Sequence, residues 1–447
     1  MTPRLDYPAA VDALRARGRF GINLGLERVN AILDRLERPE RGLRGALVGG
    51  TNGKGSVVAL ALAALRAAGL RIGTMPKPHL VSYRERIAID GEALSEEAFA
   101  AAVARVLPAV DDVARRLGPP TEFEVLTAAA FAELARVDVD LAVVEVGMGG
   151  RLDATNVLDP GVAAITNVAL DHERHLGTTL AAIATEKAAI IKAGNLAVTG
   201  ASGRGLGPIA DRCARLDVPL RHAGRHEPYR AEVLDAGWDG LVLDMRAGGR
   251  RLDGLVVGLL GGHQAANAAV AVAVLDAIQQ AAESREACFH DLDDIAIRRG
   301  FAAARWPGRL ELLRSTPAGP VLLDGAHNPA GARALAAALA DLGLRDAPLV
   351  FGAQRGKRVA AVLRALAPLR PRPIFTRVDD PGALPPADLL RAWRSIGAAG
   401  EVADDPATAL ARAAERRRRP DQPVVVAGSL YLVGAVRGML LGERSDR

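Results

Sequence analysis

Lysine is scarce in this 447-residue chain: of its 57 basic residues only Lys54, Lys77, Lys187, Lys192 and Lys357 are lysines, the rest being arginine. A lysine that survives such a background is a candidate for work that needs a compact ammonium or a reactive amine, which a guanidinium cannot supply. Lys192 and Lys357 are put down to chance. Cysteine is scarcer still. Cys213 and Cys288 form no CxxC pair, which argues against a disulfide framework or a zinc site and for free thiols in a reducing cytosol. Only 15 residues are aromatic (8 Phe, 3 Trp, 4 Tyr), and the net charge is +5, so neither base stacking nor a basic footprint points to nucleic acid. The one dense basic run, Arg416 to Arg419, reads as the solvated end of a helix. The N-terminus has no apolar h-region, so no signal peptide is expected. Apolar stretches are interrupted before about 18 residues, so no membrane span is expected either.

What remains is ample core material, 49% hydrophobic, in a length that suits two domains. From Ala46 onward an apolar strand, a glycine-rich turn and a helix over about 56–68 follow one another. Strands are expected near 71–75, 139–146 and 162–166, and helices near 95–117, 123–135 and 179–191. Continuous apolar strands alternating with helices predict an α/β fold with a doubly wound, mostly parallel sheet. Between about 225 and 260 short alternating segments separated by glycines predict a small antiparallel subsheet. Strands and helices alternate again after Trp306-Pro307-Gly308, predicting a Rossmann-like C-terminal domain. The expected boundaries are 1–303 for an ATP-binding central domain and 304–447 for the second.

Gly49-Gly50-Thr51-Asn52-Gly53-Lys54-Gly55-Ser56 sits between strand and helix. Glycines let backbone N–H groups turn toward phosphate oxygens, and the helix N-terminus adds its dipole. Asn52, Gly53, Lys54, Gly55 and Ser56 are therefore nucleotide-phosphate candidates, with Lys54 reaching the β- and γ-phosphates. Gly55 intrudes between Lys54 and Ser56, which departs from GxxxxGK[ST]. Glu145 ends a buried strand beside several glycines, where a carboxylate suits a Mg²⁺ bridging ATP phosphates. Asp171-His172-Glu173 follows the next strand and suggests a second polar cluster. No GxSxG is present, which disfavours a serine hydrolase.

Gly-Thr-Asn-Gly-Lys-Gly-Ser resembles the phosphate loop of the Mur ligases. Glu145 to Lys192 resembles EVGxGGRxDATN followed by DHxxxLGxTxxxIAxEKAxIxK, with Ala189 where glycine is usual. Gly262–Ala268, Trp306–Arg309, Leu323–Pro329 and Ala427–Tyr431 resemble GxHQxxNAxxA, WPGR, LDGAHNP and GSLY. By these motifs the chain is similar, nearly end to end, to the folylpolyglutamate synthase/dihydrofolate synthase family. The resemblance implies ATP and two Mg²⁺ ions, with Glu145, His172 and Lys187 as metal ligands and Lys187 carboxylated on Nζ by CO₂. It implies that Asn267, Arg309 and Asp324 contact ATP, with His327 in the same cleft. Thr121, Glu122, Phe123, Leu152, Asp153 and Ala154 are implied near the pterin-bearing acid. Lys77 stands where the family commonly has a Mg²⁺-binding serine. An ammonium cannot ligate a cation, so Lys77 is expected to contact a phosphate or to take over part of the first metal's role.

The implied enzyme is a cytoplasmic, monomeric ligase of the EC 6.3.2 type, joining L-glutamate to dihydropteroate, to folate polyglutamates, or to both, through an acyl phosphate. A Mur-type ligase on another acid is the alternative, although only about 48 residues precede the loop, too few for a nucleotide-sugar domain. A phosphate-loop ATPase switch is the other, and it leaves the motifs around Arg309 and Asp324 without a role.

Overall fold

The computed structural model describes residues 5–18, 23–283, 292–396, 399–443 and 446; Cys288 lies outside them, and Cys213 is a buried free thiol. The apolar strand runs assemble into an eight-stranded sheet. Its order is Glu92–Ala93, Ala88–Ile89, Ile72–Met75, Leu141–Glu145, Gly45–Gly49, Gly161–Ile165, Leu196–Thr199 and Leu220–His222. The six inner and later strands pair in parallel, and the first two form an antiparallel edge. Alternate residues enter opposite cores. Leu47, Ala142 and Val144 join Phe99, Val103 and Val125, from the helices Glu96–Leu117 and Glu122–Arg136. Ala46, Val48, Leu141 and Val143 join Val57, Leu60 and Val270, from the helices Lys54–Ala67 and Gln264–Glu283. Burial on both faces is why these strands read as unbroken apolar runs.

The small antiparallel sheet is a meander of Tyr229–Gly237, Gly240–Ala247 and Arg250–Val257. Leu241, Leu243, Met245 and Leu255 turn one face into the core beneath the helix Gln264–Glu283. Among the described residues that helix alone is long and apolar enough to cross a bilayer, and 67% of its most apolar window is buried within the protein. It is a core helix.

The third sheet has the order Glu311–Leu313, Val321–Asp324, Val424–Ala427, Pro348–Phe351, Arg372–Phe375 and Glu401–Val402, antiparallel only at its first strand. Leu322 and Phe351 face the helices Pro329–Asp341, Val359–Leu366 and Pro386–Arg394. Val321, Leu323 and Val350 face Pro406–Glu415 and Leu430–Leu441. Leu80 and Val81, from the loop after the strand Ile72–Met75, are buried in that second layer. A Cβ on Gly434 would lie 1.9 Å from Leu80 O, so glycine is needed for the C-terminal lobe to seat on this loop.

Candidate active site

The strand Gly45–Gly49 lies between Leu141–Glu145 and Gly161–Ile165, and the chain winds outward on both sides of it. At such a switch point the loops leaving the strand C-termini part and leave a crevice. Three segments open into it: the phosphate loop, Glu145, and the stretch from Thr166 to His172. The C-terminal lobe closes the far side, giving a cleft of about 560 Å³.

Side chains tie the phosphate loop to the next segment. Thr166 Oγ1 and Asn167 Nδ2 donate to Asn52 O at 2.6 and 2.9 Å, and Thr51 Oγ1 accepts from Ala169 N at 3.0 Å. Gly50 has φ 137, and a Cβ there would sit 1.9 Å from Thr166 Oγ1. Gly53, φ 79, is the N-cap of the helix Lys54–Ala67 and makes no side-chain cap bond. The first amides of a fourteen-residue helix therefore face the cleft without a side-chain cap, an arrangement that attracts anions. The intruding Gly55 has a packing reason: a Cβ there would meet Trp306 Nε1 at 2.5 Å.

Glu145 is buried, with Oε1 3.7 Å from Lys54 Nζ and Oε2 without a hydrogen-bond partner. Burial pushes its pKa up against the charges of Lys54, Arg309 and Lys77. A carboxylate oxygen left unpaired in a cleft fits a cation. Lys187 is buried, its Nζ donates to Gly50 O at 2.9 Å, and burial followed by the Lys54 charge brings its pKa down to about 7. Much of it is therefore free amine near neutrality, the form that reacts with CO₂. Lys77 also faces the cleft; burial lowers it to about 7, and its Nζ stands 4.1 Å from the centroid of the Phe123 ring.

His172 adopts a left-handed backbone, φ 50, at the cleft edge, and burial with the Lys357 charge lowers it to about 4. Its neighbour Asp171 is the more connected group. Lys357 Nζ lies 2.6 Å from Asp171 Oδ1, while His327 Nε2 and Asn328 Nδ2 lie 3.3 and 3.1 Å from Oδ2. Burial opposes the charge on Asp171, but the His327 contact and the Lys357 charge outweigh it and hold the pKa far below the usual carboxylate range. Asn328 Nδ2 also donates to Asn52 Oδ1 at 2.9 Å, so one amide of the C-terminal lobe touches both the phosphate loop and Asp171.

On the opposite wall, Thr121 caps the helix Glu122–Arg136 through a capping box with Glu124, which pairs with Arg28 at 3.1 Å. Asp153 Oδ2 accepts from Met148 N at 2.8 Å and Oδ1 from Thr155 N at 3.1 Å, so it shapes its own loop. Thr121, Phe123, Leu152, Asp153 and Ala154 line the cleft; Glu122 does not, and faces Tyr83 and Arg86. Arg309, Asp324, His327 and Asn267 line the other end. Asp324 accepts from Leu310 N and Ala326 N at 3.0 and 2.9 Å, and a Cβ on Gly325 would crowd Arg309 Nη1 at 2.4 Å.

Sequence reasoning passed over Asn328 and Lys357. Lys357, put down to chance, is corrected here: it is the cation that meets Asp171. The scarcity of lysine was the available signal. Lys192 holds a loop together, donating to Asn156 Oδ1 and Leu158 O at 3.0 and 2.9 Å.

Two family models cover these elements: the Mur ligase middle domain matches residues 48–275, and the Mur ligase glutamate ligase domain matches 308–430. A Bacillus subtilis dihydrofolate synthase/folylpolyglutamate synthase is 33% identical over 97% of this chain and 99% of its own length. The chain belongs to the folylpolyglutamate synthase/dihydrofolate synthase family of Mur ligases. The solved Mycobacterium tuberculosis folylpolyglutamate synthase, complexed with ADP and AMPPCP, superposes with a TM-score of 0.87 at 34% identity, covering 97% of this chain and 99% of that one. A Yersinia pestis bifunctional member complexed with AMPPNP and a Mn ion gives 0.85 at 32% identity, covering 99% and 100%. The chain spans about half the length of a Haloferax volcanii relative, 35% identical over 97% of this chain, named as a probable bifunctional folylpolyglutamate synthase/dihydropteroate synthase.

Proposed function

We propose that this member of the family joins L-glutamate to a folate-type acid at the expense of ATP, with dihydropteroate and reduced folates both as acceptors. The observation that carries the reading is the cleft itself. It brings together a bare helix N-terminus with Lys54, the aromatic ring of Phe123, and Arg309 from the second lobe.

In the first half-reaction an oxygen of the acid's carboxylate bonds to the γ-phosphorus while the bond from that phosphorus to the ADP oxygen breaks. In the second, the glutamate amine bonds to the acyl carbon, phosphate leaves, and the amine gives up a proton. The chain supplies orientation and charge: loop amides and Lys54 hold the phosphates, and Arg309 balances charge on the group in transfer. Phe123 offers a face for a planar ring, and the lobes together keep water from the acyl phosphate. Asn267, Asp324 and His327 are assigned to the nucleotide, and Thr121, Leu152, Asp153 and Ala154 to the acid.

A divalent cation such as Mg²⁺ would be held by Glu145 and would neutralise phosphate charge. Among the described residues no three His, Cys, Asp or Glu side chains form a ready metal cage, so nucleotide oxygens and water would complete its shell. For a second ion we assign His172 and Lys187, the latter carboxylated. We assign the reaction to the cytoplasm, a reading supported by the free thiol of Cys213 and by the use of ATP and glutamate, and we assign the active form as a monomer, since the assigned residues line one cleft.

The deciding assay is ADP release. It is expected only when glutamate and a folate-type acid are both present, with dihydropteroate and tetrahydrofolate compared as acceptors. ADP release that needs neither would replace the ligase with an ATPase switch.

A further inference from the structure

Lys77 Nζ and Glu145 Oε2 are groups of opposite sign in the wall of one cleft, and each lacks a hydrogen-bond partner among the described residues. They do not satisfy each other. Glu145 instead has Lys54 at 3.7 Å, and the Lys77 ammonium rests over the Phe123 ring. Buried polar groups are ordinarily paired, and an unpaired ammonium is among the most costly of them. The natural completion brings a cation to Glu145 and an anion to Lys77, and an anion arriving there favours the ammonium over the free amine that burial promotes.

The place of Lys77 says which anion. Its surroundings span the two halves of the cleft: Asp153 and Phe123 on the acid side, Glu145 and Lys54 on the phosphate side, with the Arg86 guanidinium also near. Nucleotide phosphates have the loop amides and Lys54 already. The group that must lie between the two sides is the reacting carboxylate. The lysine's root is fixed, because Leu80 and Val81, three and four residues on, are buried in the C-terminal lobe. Its four-carbon stem gives the ammonium reach from the Phe123 face into the cleft.

We infer that the Lys77 ammonium holds the reacting carboxylate of the acid substrate and stays with its charge into the acyl phosphate. The inference rests on the ligase reading above. Binding is ionic, so no bond to lysine forms or breaks. As the carboxylate oxygen joins the γ-phosphorus, the departing ADP takes the electron pair of the broken bond and no proton leaves Nζ. The other role open to a fixed cation here is to replace the divalent ion at Glu145, and the experiment separates the two.

The test uses the full chain and its K77M and K77R variants, with Mg²⁺ and AMPPCP present. Dihydropteroate is compared with its carboxamide, which keeps the ring system and loses the charge. The wild type is expected to bind the acid about tenfold or more tighter than the amide, as a charged hydrogen bond gives. K77M should erase that preference and K77R should retain part of it, while AMPPCP affinity and its Mg²⁺ dependence stay within about twofold. Equal binding of acid and amide by the wild type overturns the inference, and that result needs no variant to fold. So does a K77M that keeps the preference, or one whose change falls on the Mg²⁺ requirement alone. Failure of the wild type to turn over any folate-type acid with glutamate strikes the ligase reading instead, and is scored separately by ADP release.

Discussion

Lys357 Nζ stands 2.6 Å from Asp171 Oδ1, joining a loop of the C-terminal lobe to the segment that backs the phosphate loop. Both side chains are largely buried, 16% and 8% exposed, so the pair is poorly screened by solvent. Because Asn328 spans Asp171 and Asn52, the contact also bears on the loop that would hold phosphate.

Breaking that tie should slow the ligase without unfolding it. Lys357→Met is expected to lower kcat/KM by about tenfold, the range of one charged hydrogen bond. A double-mutant cycle with Asp171→Asn should give coupling on the order of 1–3 kcal/mol. The folded pKa of Asp171 is depressed, so its contribution is complete above the unfolded value of about 3.9 and is lost only as pH falls further. The effect of Lys357→Met should therefore be flat from pH 6 to 8. Additive mutations would remove the pair from the account.

Glu145 presents the opposite sign. Burial raises its pKa, so the folded state pays for its charge once pH exceeds the unfolded value near 4.3, and pays most above the folded one. Glu145→Gln should therefore raise Tm at pH 7.5, with the gain shrinking toward pH 4. The same variant should lose turnover and the metal dependence of AMPPCP binding. A Tm that falls would mean that Oε2 is better satisfied in the apo protein than its lack of partners indicates.

The two residues also mark what a sequence makes legible. Glu145 was readable because its signal is local: an apolar run, a terminal acid and adjacent glycines lie within about ten residues. The phosphate loop was readable for the same reason. Lys357 and Asn328 have no local signal. They matter because the C-terminal sheet carries them to residues about 160–280 positions earlier, and only the closed arrangement of lobes makes the contact. Element types followed from apolar periodicity. Two-residue strands such as Ala88–Ile89 and Glu401–Val402 did not, being too short to show a period. The helix starting at Leu180 stops at Ala188 rather than running to 191, because Ile190 N and Ile191 N turn to the carbonyls three residues back, Lys187 O and Ala188 O.

Lys187 is the residue on which the proposed CO₂ chemistry depends. With its pKa near 7 rather than 10.5, it offers free amine at pH 7–8, where an exposed lysine offers almost none. The wild type incubated with isotope-labelled bicarbonate should show a carbamate carbon signal that Lys187→Ala lacks. Lys187→Ala should be inactive, and a short carboxylic acid added to it should restore part of the rate. An unlabelled wild-type protein of full activity would leave Lys187 as a plain hydrogen-bond donor to Gly50.

Gly147 gives the cleanest separation of the two ends of the cleft. A Cβ there would lie 2.9 Å from Asp153 Oδ2 and 3.1 Å from Phe123 Cζ, so the glycine lets the ring and the carboxylate approach the backbone. Gly147 has no left-handed φ, so alanine strains the neighbours rather than its own backbone. The ring and Asp153 must move by a few tenths of an ångström. On the acid side a shift of that size misplaces the carboxylate, whereas the loop from Gly50 to Ser56 is tied to Thr166 and Asn167 and is untouched. Gly147→Ala should thus raise the KM for the acid about tenfold while AMPPCP binding is unchanged. Equal loss of both would mean that the loop after Glu145 serves the nucleotide and the acid as one unit.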